Sequence, residues 1–236
     1  MSWGRALMRL LMKQAWVAEV EPIAEGFRLI TLESPEFKGF AWVPGQKLQI
    51  AMGSAFVART FTPIEWDAVA GRTRILGYTH GHGPGSAWVR DASPGDACDV
   101  FGPRASLDVG DARMPVVIGD ETSIGLAHAL SFAVGDQPRA APLPCLFEVQ
   151  SAGTVREVMA RLRLGASEVF ECTENDAHLE GIERRLPDLA ATGATFVLTG
   201  KASSIQRLRR VLKDLGVDSS RVLTKAYWAP GKSGLD

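Results

Sequence analysis

The spacing of apolar residues changes once along this chain of 236 residues, and that change limits the folds open to it. Up to about residue 110 the apolar runs are short and alternate with polar residues: AWVAEVE at 15–21, GFRLITL at 26–32, QKLQIAM at 46–52, RTRILGYT at 72–79 and DACDVFG at 96–102. Alternation puts every second side chain on one face of an extended chain. Gly and Pro separate the runs, so this half reads as an antiparallel barrel or sandwich, with one helix at about 84–91. After Pro115 the apolar runs VVIG, PCLFEVQ, SEVFE, ATFVLTG and RVLTKAYW alternate with helical segments at about 122–134, 152–163, 179–191 and 203–215. In the last of these Ile205, Leu208, Val211, Leu212 and Leu215 share one side. Strand then helix, repeated, forms a parallel sheet covered by helices. The division falls between Gly110 and Pro115, giving domains 1–112 and 113–236.

Composition narrows the partners. With 26 basic and 27 acidic residues the chain has no overall field to attract nucleic acid or a membrane surface. The N-terminal MSWGRALMRLLMKQAW is interrupted by Arg5, Arg9 and Lys13, so it lacks the apolar core of a signal peptide and reads as a surface-docked helix or arm. No run of about 18 apolar residues is present, so no membrane insertion is expected. Cys98, Cys145 and Cys172 are odd in number and far apart, which encodes neither a disulfide framework nor a zinc knuckle and fits a reducing cytoplasm.

Four stretches carry chemistry. In THGHGPGSAW, residues 79–88, His80 and His82 lack a third ligand at the spacing a catalytic metal needs. Gly83, Gly85 and Ser86 instead offer a backbone that phosphate can approach and a serine suited to cap the following helix; a plain capped turn would use the same residues. In Arg59-Thr-Phe-Thr62 a guanidinium for phosphate, a ring for stacking and a hydroxyl alternate at the end of a strand. VVIGDETS runs from a buried strand through Gly119 into Asp120, Glu121, Thr122 and Ser123 at a helix start, where open α/β sheets bind dinucleotide phosphate. It has no G-x-G-x-x-G, and its two acids would mildly repel phosphate. The final AYWAPGKS has Ala226 in place of the first P-loop glycine and is not read as one; Tyr227 and Trp228 are rings that either cover a planar ligand or pack at an interface.

Taken in order, RTFT, HGHGPGSAW followed by PGDACDVFGP, GDETS and the terminal YWAPG resemble the siderophore-interacting proteins, a branch of the ferredoxin-reductase-like flavoproteins, over nearly the whole chain. The resemblance implies an N-terminal antiparallel flavin-binding β-barrel, residues 1–112, followed by a parallel-sheet α/β domain for NADPH or NADH, residues 113–236. It implies that Arg59 holds the FAD pyrophosphate, Phe61 stacks on the flavin ring, and Thr62 bonds near the reacting flavin nitrogen as the catalytic contact. Thr79, His80, Gly83, Gly85, Ser86 and Ala87 would line the FAD phosphates and ribityl chain. Gly119, Asp120, Glu121, Thr122 and Ser123 would meet the nicotinamide nucleotide, and Trp228 would lie near the flavin. The implied reaction is reduction of a ferric siderophore or other ferric chelate: nicotinamide gives two electrons as hydride, ferric iron takes one, and flavin converts between them.

Phe61 stands where the family usually has Tyr, Ile64 where it commonly has a second Arg, and Lys201 where it has Glu after Gly200. Lys47, Lys225 and Lys232 lie near segments expected to border the flavin and are candidates for attracting an anionic chelate. The residues themselves leave open a general NAD(P)H:flavin or quinone reductase and a flavin-binding module without turnover. They also leave NADH against NADPH open, because Glu148 at the end of the second α/β strand suits a ribose diol whereas Arg156 suits a 2′-phosphate, with Gln150 between.

Overall fold

The computed structural model describes residues 12–54, 57–110, 112–132, 142–165 and 167–232. Its contacts separate into two compact units, residues 1–106 and 107–236. The helix or arm expected at the N-terminus lies outside the described residues up to 11, and from Lys13 onward the chain is strand rather than helix.

The first unit holds seven strands: β1 (Lys13–Ala24), β2 (Phe27–Glu33), β3 (Lys47–Ser54), β4 (Val57–Phe61), β5 (Pro63–Asp67), β6 (Arg72–Tyr78) and β7 (Ala97–Arg104). They form one sheet in the order β4-β3-β7-β1-β2-β6-β5, with antiparallel pairings. The two end strands of that order, β4 and β5, are joined by one residue, Thr62, so the sheet must roll until its edges approach there. The result is a barrel whose seam is the RTFT stretch. Inward alternation fills it: Val17, Ile30, Leu32, Leu48, Ile50, Ile75 and Val100 are 1% exposed or less, and Ile30 pairs with Ile75 in register. Full burial of each such side chain contributes about 1.5–3 kcal/mol. Phe37, held in a short turn capped by Ser34, joins the same core against Trp66 at 5.0 Å.

The second unit alternates strand and helix: β8 (Pro115–Gly119), α2 (Ile124–Phe132), β9 (Cys145–Val149), α3 (Ala152–Arg161), β10 (Ser167–Glu171), α4 (Leu179–Ala191), β11 (Thr195–Lys201), α5 (Ala202–Asp214) and β12 (Val222–Trp228). The remaining helix, α1 (Pro84–Asp91), belongs to the barrel unit. The five strands are parallel, in the order β10-β9-β8-β11-β12. Every residue of β8 and β9 is buried, as expected of parallel strands covered on both faces. Val116, Ile118, Leu146, Phe196 and Leu198 pack on α4 and α5. Val117, Phe147 and Val197 alternate to the opposite face and are likewise buried. The strand order reverses between β8 and β11, and in such sheets ligands bind at the carboxyl ends flanking that point.

Candidate functional site

In the barrel unit the HGPGS loop opens a helix, though not through the expected cap. Gly83 is the N-cap of α1, with Pro84 at the first helical position and no side-chain cap. Proline fits because its fixed φ suits the first turn and its missing N–H would have been orphaned anyway. Ser86 therefore falls inside the helix, is 5% exposed, and serves the loop: its Oγ accepts from the His80 amide at 3.1 Å and donates to the His80 carbonyl at 2.7 Å. The Ala87 amide is also taken, donating to Gly83 O at 3.0 Å. The serine cap is thus replaced by a braced loop, in which the Ser86 hydroxyl and the Ala87 amide have partners within the chain.

The helix is held from behind. Arg28 on β2 donates from one nitrogen to the carbonyls of Val89 at 2.7 Å and Arg90 at 2.6 Å, placing a cation on the negative end of α1. Gly77 on β6 lets α1 lie close: a Cβ there would be 2.6 Å from Val89 Cγ1. At the other end Gly85 rests on Arg59, where a Cβ would meet the Arg59 Cγ at 3.1 Å. Arg59 and the positive end of α1 are therefore neighbours, which is the donor set a diphosphate needs.

Around this lie the other expected residues. Thr62 is half-buried at the seam, and its hydroxyl has no partner among the described residues. Phe61 is half-buried and tilted on Trp88, centroids 5.4 Å apart. Thr79 donates to Gly26 O at 3.1 Å, which commits its hydroxyl to the barrel. His80 stacks on Tyr78 at 5.7 Å, and desolvation lowers its pKa, so it reaches neutral pH as an uncharged ring. The arrangement has a seam hydroxyl, an aromatic ring, and a guanidinium beside open helix amides, and it fits the FAD that the resemblance implies.

In the second unit the GDETS turn is a hub of hydrogen bonds. Asp120 caps a short 3-10 turn, Glu121–Ser123, that leads into α2: its Oδ1 accepts from Thr122 N at 2.9 Å and from the Thr122 hydroxyl. The Ser123 amide donates to Asp120 O at 2.9 Å, and Asp120 N to Ser123 Oγ at 3.3 Å. The amides of Asp120, Thr122 and Ser123 are thus engaged within the turn, and of Gly119 to Ser123 Thr122 alone is part-exposed. Both acids are turned inward. Glu121 Oε1 accepts from Gln150 N beyond β9 at 2.6 Å. Asp120 Oδ2 accepts from the indole Nε1 of Trp228 on β12 at 2.7 Å. Thr199 on β11 donates to Ser123 Oγ at 2.8 Å. One turn thereby ties together the carboxyl ends of four strands. Burial raises the Asp120 pKa to about 6, opposed by its bonds from Thr122 and Trp228.

The glycines at this edge are steric requirements. A Cβ on Gly119 would lie 2.2 Å from Ser123 Oγ. Gly200 has φ +96, and a Cβ there would lie 2.4 Å from Asp120 Oδ2. Beyond Gly200, α5 starts with no side-chain cap and with Lys201 before it, so its positive end opens at the carboxyl edge of β11. The Lys201 ammonium pairs with Asp176 at 3.0 Å, and that bond helps raise its pKa although burial is the larger influence and works the other way. Gly200 and Lys201 stood out in the sequence only as a departure from the family pattern, and Thr199, which bonds Ser123, gave no signal of its own.

Other expectations change. Lys47 is 8% exposed at the head of β3 and is not a solvated lysine, whereas Lys225 is half-buried on β12 and Lys232 is exposed. Glu148 is 4% exposed and bonded to His178, so it is not free for a ribose diol. Glu148, Cys172 and His178 bring their ligand atoms within 4.8 Å of one another. Thr173 N donates to His178 Nδ1 at 3.1 Å, which fixes the proton on Nε2, where it points to Glu148 Oε2 at 3.0 Å. That tautomer offers a metal no lone pair on Nε2, and burial together with nearby carboxylates pushes the Cys172 thiol up to about 12. The group is therefore read as structural, with His178 bonded to Glu148 and the Cys172 thiol beside them.

Comparison with known proteins agrees with this architecture. Residues 45–107 match the family described as siderophore-interacting FAD-binding domain, and residues 112–231 match the siderophore-interacting protein family. An NADPH-dependent ferric-chelate reductase of Escherichia coli (strain K12) is 24% identical over 244 residues, covering 93% of each chain. Among solved structures, a siderophore utilization protein from T. fusca superposes with a TM-score of 0.74 at 23% identity, covering 95% of both chains. The siderophore-interacting protein SipS from Aeromonas hydrophila does so with a TM-score of 0.74 at 22% identity, covering 94% of this chain and 92% of that one. With the matched segment 112–231 spanning half of a chain that also carries the FAD-binding match, this protein belongs to the siderophore-interacting protein family.

Proposed function

We propose that the chain is an FAD-dependent oxidoreductase that takes hydride from NADPH or NADH and reduces the iron of a ferric siderophore or other ferric chelate. The observation that carries this reading is Arg59 set against the uncapped N-terminus of α1 at the barrel seam. That donor set suits the diphosphate of FAD, and it stands in a segment matching an FAD-binding family. Bound there, FAD would supply the conversion of a two-electron hydride into the single electrons ferric iron accepts.

The chain's own groups have limited tasks. Arg59 and the amides of the first turn of α1 hold the diphosphate, and Phe61 presents a ring face. Thr62 holds a hydroxyl toward the reacting edge of the flavin. In the second unit, the opened end of α5 with Lys201 and the partly exposed Thr122 take the nicotinamide nucleotide, making 1–112 the FAD-binding domain and 113–236 the NAD(P)H-binding one. Lys225 and Lys232 remain candidates for drawing an anionic chelate; Lys47, being buried, is withdrawn from that role. No described helix is long and apolar enough to cross a membrane.

The purified protein should bind FAD, and anaerobic NADPH or NADH should bleach its absorption. Ferric siderophores should then restore the colour faster than quinones or free flavin do. Faster reoxidation by quinones would make it a general reductase on this fold, and a bound flavin that neither nucleotide bleaches would make it a binding module.

A further inference from the structure

Asp120 and Trp228 are 108 residues apart in sequence, yet their side chains meet at 2.7 Å. We propose that Asp120 is a positioning residue which fixes the plane of the Trp228 indole at the carboxyl edge of the parallel sheet, where that ring flanks the planar end of a bound nicotinamide nucleotide. The inference rests on the nucleotide-binding role proposed for this unit.

Three observations carry it. Asp120 Oδ1 is occupied by Thr122, and Oδ2 takes the indole, so both oxygens are needed as acceptors. A carboxylate meets that demand and an amide does not, because asparagine has one acceptor oxygen and its NH₂ would face a donor. Second, Trp228 is only half-buried, so water could satisfy its N–H without help. A carboxylate 3% exposed is a costly acceptor for a bond that satisfaction alone does not require. Third, β11 is stripped to Gly200 where it passes the pair, since any Cβ would strike Asp120 Oδ2. The gain from these concessions is direction: a bond at Nε1 restricts rotation of the indole about χ2. Asp120 is itself immobile, being the cap of the turn that binds β9, β11 and β12.

The test is a double-mutant cycle of Asp120→Asn and Trp228→Phe on the full chain, read by equilibrium titration with NADP⁺ and with NAD⁺ rather than by turnover. Trp228→Phe removes the bond, Asp120→Asn leaves one acceptor oxygen for the two donors Thr122 and Trp228 and so weakens it, and each should weaken nucleotide binding about three- to tenfold, the size of one hydrogen bond. The double variant should be no weaker than the weaker single variant. Additive losses, or no loss in Asp120→Asn, overturn the proposal. Trp228→Phe alone, at a part-exposed position, keeps the test decisive should Asp120→Asn fail to fold: unchanged affinity there also overturns it. A second readout needs no nucleotide. The chain has six tryptophans, so Trp228 emission is taken as the difference between parent and Trp228→Phe spectra. Asp120→Asn should raise the access of acrylamide to that component at least twofold if a single hydrogen bond of usual strength pins the ring. Unchanged access overturns the positioning role. A parent protein that binds neither nucleotide overturns the functional reading instead, and the quenching result then decides the ring-fixing role by itself.

Discussion

Ser86, Glu121 and Asp120 each carry a polar side chain into the interior and give it to the backbone or ring of another segment. Asp120 has the clearest solution consequence. Its folded pKa, about 6, lies above the ordinary value of 3.8, so the folded chain holds the proton more tightly than the unfolded one. This group's contribution is therefore fully present below pH 4 and is lost as pH rises through about 6. The loss is on the order of 3 kcal/mol, from 1.36 kcal/mol for each pH unit between the two values. In denaturant titrations, the unfolding free energy at pH 4 minus that at pH 7 should be lower for Asp120→Asn than for the parent by about 3 kcal/mol; equal values would refute the assignment. Arg59 gives the second residue-level expectation. Arg59→Ala should weaken FAD binding at least about tenfold, the size of one charge-assisted hydrogen bond, and the loss should shrink at high salt. Sequence revealed that these residues are polar and near turns. It did not reveal their partners, which lie up to 108 positions away.

Helix α1 shows how elements aim a site. Its C-terminal carbonyls sit on Arg28, its middle lies on Gly77, and its first turn meets Arg59, so two contacts behind fix where the open amides point. Gly77→Ala should push Val89 off β6, costing about 1–3 kcal/mol by overpacking. It should also weaken FAD binding, and adding Val89→Ala should recover most of both. Failure of the second change to rescue would mean that Gly77 matters for some other reason. Elements were unevenly legible. The parallel strands and their helices stand out because both faces of the central strands β8 and β9 are covered and helices α3, α4 and α5 each carry one apolar stripe. Strand β5, PIEWD, was missed because it is short, begins at a proline and pairs along one edge only, as β5 with β6. Thr62 was read as the end of one strand, whereas it is the single residue between two.

For the whole molecule, ligand linkage offers a check on which unit holds which nucleotide. FAD at a hundred times its dissociation constant should stabilise the unit that binds it by about 2.7 kcal/mol. Hydrogen exchange should then slow in β1 to β7 and α1, and NADP⁺ should slow it in β8 to β12. Protection by FAD confined to residues 107–236 would reverse the assignment. Alternation, periodicity and turn residues determined from the sequence alone that an antiparallel barrel or sandwich precedes an α/β sheet, and the order of RTFT, HGPGS, GDETS and YWAPG marked the family and, through it, the barrel. These signals are local, set by which face of a strand or helix a side chain occupies. Tertiary structure alone decided that Thr62 lies where the barrel closes, that Ser86 braces a loop instead of capping a helix, and that the acids of GDETS turn inward to Gln150 and Trp228. Those outcomes depend on strands brought side by side from distant parts of the chain, and a hydrogen bond is chosen by the partner that packing delivers, not by its neighbours in sequence.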